Sequence, residues 1–175
     1  MTDLQESTRT RFFGKHRGVV VNNVDPMLMG RIQVMVPDVS PGLSSWAMPC
    51  VPMGGMGHGV FTVPSIGAAV WVEFEQGDPD FPIWVGCYWG SAAEVPVMSH
   101  AIPPGVNGLT IQTQLGNLLQ ISDTPGPTGG ILIKTVTGAM ISVSDVGITI
   151  SNGKGAVITM MGPSTDINAG GLTVL

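Results

Sequence analysis

Charge is scarce in this sequence. Only 11 % of its 175 residues are Asp, Glu, Lys or Arg, against about 25 % in ordinary domains. Lys and Arg together number seven and the formal net charge is −5, which weighs against a broad phosphate-binding surface. The hydrophobic fraction reaches 43 %, yet no run approaches the roughly 18 apolar residues of a membrane-spanning helix. The apolar surface therefore needs a cover other than lipid, and subunit contact is the usual one. Cysteine is limited to Cys50 and Cys87. They could pair with each other, but in a cytosolic chain they are expected as buried thiols. No CxxC or Cys/His cluster points to zinc. Aromatic residues stop at Trp89, so the C-terminal half has nothing on which a sugar ring would stack. The opening "MTDLQESTRTRFFGKHR" lacks the apolar centre of a signal peptide, which predicts assembly in the cytoplasm.

What is present falls into two textures. Residues 1–12 read as a flexible or partner-ordered arm. Four of the basic residues, Arg9, Arg11, Lys15 and Arg17, lie in or just beyond it. Residues 13–90 carry mixed β signals: "RGVVVNNVDP" ending in a turn, "GRIQVMVPDV" with Ile32, Val34 and Val36 on one face, and a Pro-interrupted edge strand "SSWAMPCVPM". Then come a mobile glycine-rich loop "MGGMGHG" and two strong strands, Ala69–Glu75 and Pro82–Tyr88, around an Asp-Pro turn. Five or so short strands in this length predict a small Greek-key barrel of the OB type. Residues 91–107 are Pro-rich and aperiodic, a connector wrapping a surface.

From residue 108 glycines recur at 108, 116, 130, 138, 147, 155, 162 and 171, mostly seven to nine residues apart. Each unit offers about five strand residues and a turn, and the longest gap contains an inserted loop, "DTPGPT". In "ILIKTV" Lys134 faces water, so Ile131 and Ile133 face the other way. The same phase places Leu109, Ile111, Leu119, Ile121, Ile141, Val143, Ile148, Ile150 and Ile158 inward, although "AMISVS" fits either register. One such strip cannot enclose its own apolar face and would expose long edges. A three-chain prism solves both problems, with each strand pairing with strands of neighbouring chains and the inward residues filling the axis. Eight strands on each of three faces give a rod on the order of 40 Å long.

Chemical alternatives are weaker. Glu73 and Glu75 lie two apart on one strand and could stand like paired glycosidase carboxylates, but a strand running into an Asp-Pro turn accounts for them. His58 has neither a nucleophile motif nor a rigid orienting group beside it. "MGGMGHG" precedes no helix that would cradle phosphate. Trp71, Phe74, Trp84, Tyr88 and Trp89 read as barrel core rather than a base-stacking platform. No catalytic residue, cofactor, metal ligand or nucleic-acid partner is expected. The competing classes are a β-solenoid carbohydrate-binding tail module and an OB-fold nucleic-acid binder.

"GVVVNNVDPMLMGRIQVMVPDV", "WAMPCVPMGGMGHGVFTVPSIGAAVWVEFEQGDPDFPIWVGCYWGS" and the glycine-spaced tail together resemble the central spike proteins of contractile injection machines. These comprise phage baseplate assembly protein V, the T-even phage spike and the valine-glycine repeat protein of type VI secretion. The resemblance implies an all-β chain: an OB-fold barrel (residues 13–90), a connector (91–107) and an intertwined trimeric triangular β-helix (108–175). It also implies a non-enzymatic homotrimer on the baseplate axis, driven into the target's outer membrane when the sheath contracts. A hub protein would meet the barrel end, with Arg9, Arg11, Lys15 and Arg17 in contact. A PAAR-type tip protein would dock on Gly170, Gly171, Leu172, Thr173, Val174 and Leu175. Hub and cell-wall-cleaving functions would come from other chains. Because His16, His58 and His100 all precede the repeat, an apical metal held by this chain is not expected.

Overall fold

The computed structural model describes residues 10–174, and the side chains of 173 and 174 are left aside. The chain divides into two units between Ala92 and Ala93.

The first unit contains β1 (His16–Asn22), β2 (Gln33–Val36), β3 (Ser40–Leu43), β4 (Met48–Pro49), β5 (Gly54–Gly55), β6 (His58–Gly59), β7 (Ala69–Phe74) and β8 (Pro82–Cys87). Six of these form one sheet in the order β3-β2-β1-β7-β8-β4. All of its pairings are antiparallel except β4 with β8. A bridge between Ile32 and Ala47 brings the β4 edge back toward the start of β2, so the sheet curls around its core. That core follows from strand alternation: Val20, Ile32, Val34, Val36, Ala47, Val70, Val72, Phe74 and Trp84 are buried together. β4, with Pro49, is indeed an edge strand, where a residue lacking an N–H costs least.

Several expectations for this unit need correction. The glycine-rich "MGGMGHG" loop contains a short exposed hairpin, β5–β6, that the sequence reading did not assign. β7 ends at Phe74 and Glu75 opens a 3-10 turn, so Glu73 and Glu75 do not share a strand face. Gln76, at φ 51°, breaks the extended backbone just beyond Glu75. Cys50 and Cys87 are free thiols, as one reading had it, but both are exposed, because each sits where its strand is running out at the sheet margin. Phe74 and Trp84 belong to the core, whereas Trp89 is exposed, since β8 has already ended. Trp71 and Tyr88 stack on each other, half-buried, with centroids 4.7 Å apart.

A 3-10 turn, Ala92–Glu94, spans the boundary, and a second, Val97–Ala101, follows in the second unit. Eight strands follow: β9 (Gly108–Gln112), β10 (Leu118–Ser122), β11 (Gly130–Lys134), β12 (Met140–Ser144), β13 (Gly147–Ser151), β14 (Val157–Met161), β15 (Ser164–Ile167) and β16 (Leu172–Val174). They form one antiparallel meander in sequence order, matching the strand number that the glycine spacing predicts. Pairing differs from expectation in one respect: each strand bonds to its predecessor and successor in the same chain. Short connections such as 145–146 and 162–163 favour this, because antiparallel neighbours can be joined by tight hairpins. Glycine is required where strands begin against a neighbour's carbonyl. A Cβ at Gly130 would lie 2.0 Å from the Val143 oxygen, and one at Gly147 would lie 2.2 Å from that of Met160.

Candidate trimerisation face

The meander register aligns side chains into columns. Leu119 stands opposite both Ile111 and Ile133, and the series continues through Ile141, Ile150, Ile158, Ile167 and Leu172. A second column runs Leu109, Ile121, Ile131, Val143, Ile148, Met160 and Thr165. Alternation places both columns on one face of the sheet. All eleven residues expected to point inward share this face, and the pairing resolves "AMISVS" in favour of Ile141 and Val143. Met160, Ile167 and Leu172 join the same face without having been read inward from sequence; Met160 continues the phase of Ile158 on β14, whereas the turns at 162–163 and 168–171 interrupt the alternation before Ile167 and Leu172. Leu172, expected among tip-docking residues, lies opposite Ile167 in the first column.

The other face is mixed: Thr110, Gln120, Leu132, Ser142, Thr149, Thr159 and Asp166 form one column, and Leu118, Lys134 and Met140 lie beside them. Here the chain covers itself. The Gln120 amide donates to the Met98 carbonyl at 2.6 Å and to Thr110 Oγ1 at 3.0 Å, and the Ile102 side chain occupies the space where Gly108 lacks a Cβ. Burial within one chain is therefore inverted. Gln120 is 4 % exposed and Ser122 5 %, while Ile133 on the aliphatic face is 48 % exposed. Moving such an isoleucine from half-exposed to dry contributes on the order of 1 kcal/mol. A face this long and regular is an association surface.

At the tail, Gly170 lies in the turn before β16, with φ +98°. Its N–H donates to Asp166 Oδ1 at 2.9 Å. Gly171 completes the turn, Leu172, Thr173 and Val174 form the outermost strand, and Leu175 lies outside the described residues. Arg9 also lies outside them. The remaining basic residues of the N-terminal segment engage their own unit rather than standing free. Arg11 pairs with Asp78 at 3.3 Å, Lys15 pairs with Glu73, and Arg17 sits 5.8 and 5.6 Å above the Trp71 and Tyr88 rings. The Phe12 N–H donates to the Gly77 carbonyl at 2.8 Å, so the end of the expected arm is laid against the barrel.

A polar site that the sequence reading missed lies between β1 and β2. Asp25 is buried, and its carboxylate accepts five hydrogen bonds. Oδ1 takes the Met27 N–H at 2.9 Å and Arg31 Nε and Nη2 at 3.1 and 2.7 Å; Oδ2 takes the N–H groups of Met29 and Arg31 at 2.8 and 3.2 Å. The Arg31 guanidinium holds this carboxyl well below the usual carboxylate range; burial opposes the shift and the three backbone donors reinforce it. Arg31 also lies 5.5 Å from the Trp46 ring.

Comparison with known proteins gives the two units their family. A family model described as the type VI secretion system/phage-baseplate injector OB domain matches residues 16–89. A second, the phage baseplate V C-terminal trimerisation domain, matches residues 108–173. The chain belongs to the central spike family of contractile injection machines. The type VI secretion system spike protein VgrG4b of Pseudomonas aeruginosa is 38 % identical over 53 residues, which make up 30 % of this chain and 7 % of that protein. The spike chain thus spans only a small part of the length of that relative. The exposed aliphatic face lies within the segment matched by the trimerisation domain, and the spike is a homotrimer. As a member of this family it is a structural component of a phage baseplate or type VI-like injection machine.

Proposed function

We propose that the spike punctures the target cell envelope when the sheath contracts, acting mechanically and without catalysis. The observation that carries this reading is the pair of aliphatic columns on an otherwise self-contained sheet. Three copies that bury these columns against one another form a stiff body whose separation exposes many isoleucines at once, so its unfolding is slow. Slow unfolding and stiffness are what a driven point requires. Leu109, Ile111, Leu119, Ile121, Ile131, Ile133, Ile141, Val143, Ile148, Ile150 and Ile158 fill the shared core. A hub protein meets the first unit at the end where the N-terminal segment enters; the exposed rings of Phe13 and Phe81 and the Arg11–Asp78 pair there support this. A PAAR-type tip protein docks on Gly170–Leu175, where the edge strand leaves unpaired backbone groups available for a partner. Assembly takes place in the bacterial cytoplasm, and contact with the target's outer membrane is transient.

Mass measurement in solution, repeated after boiling in detergent, tests the assembly on which this depends. The expected result is three chains that stay together through heating. A well-folded monomer overturns the puncturing role.

A further inference from the structure

Met53, Met56 and His58 lie close together on the exposed β5–β6 hairpin, in the stretch "MGGMGH". Gly54 pairs with Gly59 and Gly55 with His58, and the Val60 N–H donates to the Met53 carbonyl at 3.0 Å. Met53 therefore stands opposite Val60 and diagonal to His58, and strand alternation puts both side chains on one face. Diagonal neighbours across a ladder are within reach of a long side chain, and methionine is long, unbranched and adaptable. Met56 shares the turn between the two strands with Gly57 and is fully exposed.

The His58 ring is already held by one of its two nitrogens. Nδ1 lies 3.3 Å from the Met56 carbonyl oxygen. A carbonyl only accepts, so Nδ1 carries the hydrogen and donates, and in the neutral ring Nε2 keeps its lone pair. Metal-binding histidines usually make this second contact: the nitrogen that is not a ligand donates to a carbonyl, which fixes the tautomer and the ring orientation. The ring rests against Gly55, where a Cβ would lie 2.4 Å from His58 Cε1. Glycine at that position leaves the imidazole on the face it shares with Met53.

Two thioethers and one imidazole nitrogen make a soft, uncharged donor set. Soft sulfur ligands select Cu(I), whereas carboxylate and carbonyl oxygens suit harder divalent ions. We propose that Met53 Sδ, Met56 Sδ and His58 Nε2 bind one Cu(I) ion per chain. Gly54, Gly55, Gly57 and Gly59 intersperse the ligands and give the hairpin the backbone freedom to close both thioethers on the metal. The site belongs to the first unit alone and requires neither the trimer nor the puncturing role.

The test uses full-length chain with Cys50→Ser and Cys87→Ser, so that no thiol competes for the ion. Cu(I) is titrated without oxygen against a chromophoric Cu(I) chelator, and the methionine methyl groups are followed by NMR. The expected result is one ion per chain. The Met53 and Met56 methyl signals move together, while those of Met27 and Met29, also exposed, stay in place. His58→Ala, and separately Met53→Leu with Met56→Leu, each weaken binding at least about tenfold, the scale on which even the second contact of a metal-bound histidine acts. The tryptophan spectrum stays native in both variants, and Zn(II) leaves the methionine signals unmoved. Signal movement spread over all the exposed methionines, unchanged affinity in either variant, or no uptake of Cu(I) overturns the proposal.

Discussion

Val34, Val70 and Val72 in the first unit are enclosed by their own chain, whereas Ile131, Ile133 and Ile141 in the second, no less apolar, stand half-exposed while Gln120 and Ser122 are buried. Both units alternate apolar and polar positions along their strands, so pattern alone does not separate them. Curvature does. The first sheet curls until its β4 edge approaches the start of β2 at the Ile32–Ala47 bridge and forms an inside. The second is an open meander, and its connector covers only the β9–β10 end of the side opposite the aliphatic columns. The first unit encloses its core within one chain, and the second leaves its aliphatic face uncovered.

Three experiments break or sharpen that contrast. Composition makes it easy to read, because all the Trp, Tyr and Phe residues precede Gly90, so aromatic spectroscopy reports on the first unit alone. The largest effect is expected from Ile133→Asp or Ile150→Asp. Three carboxylates brought together in a dry core abolish trimer formation, while the tryptophan signal of the first unit stays native. A trimer of normal yield and heat resistance would place these residues outside the core. Next comes Ile32→Ala, which opens a cavity in the fully enclosed core of the first unit. It should destabilise the tryptophan transition by about 2–5 kcal/mol and leave the trimer mass unchanged. Loss of the trimer in this variant would mean that the units are not separable.

The smallest effect concerns Asp25. Its carboxyl titrates lower in the folded chain than in the unfolded one, so its contribution is complete above about pH 4 and is lost as pH falls toward the folded value. The tryptophan transition of the wild type should therefore weaken as pH drops from about 4 toward 2, and Asp25→Asn should be less stable at neutral pH with a flatter acid limb. Identical pH profiles for the two proteins would remove the carboxylate from the stability of the loop.

The aliphatic face was legible because a two-residue period needs only one fixed point, and Lys134 provides it for the whole meander. It faded at "STDINAGGLTVL", where Ile167 and Leu172 lie in column but are separated by a turn that hides their phase. In the barrel, Ile32, Val34 and Val36 announced a buried strand face. Asp25 did not announce itself, since an Asp-Pro pair after two asparagines reads as a solvated turn. Its burial depends on Arg31 folding back over six residues, an arrangement that no local pattern encodes. The stacking of Arg17 on Trp71 and Tyr88 is hidden for the same reason: the partners are distant in sequence and come together only through the pairing of β1, β7 and β8. Trp89 misled because it follows a strong strand that ends two residues earlier.

Because each strand of the second unit pairs only with its immediate neighbours in the chain, the spike has a natural unit of growth. Inserting or deleting one hairpin returns the chain to its original direction and keeps both columns in phase, changing the length by roughly 10 Å. Removing a single strand reverses every element that follows. Chains of this design can therefore be expected to vary in reach by whole hairpins, with the barrel left untouched.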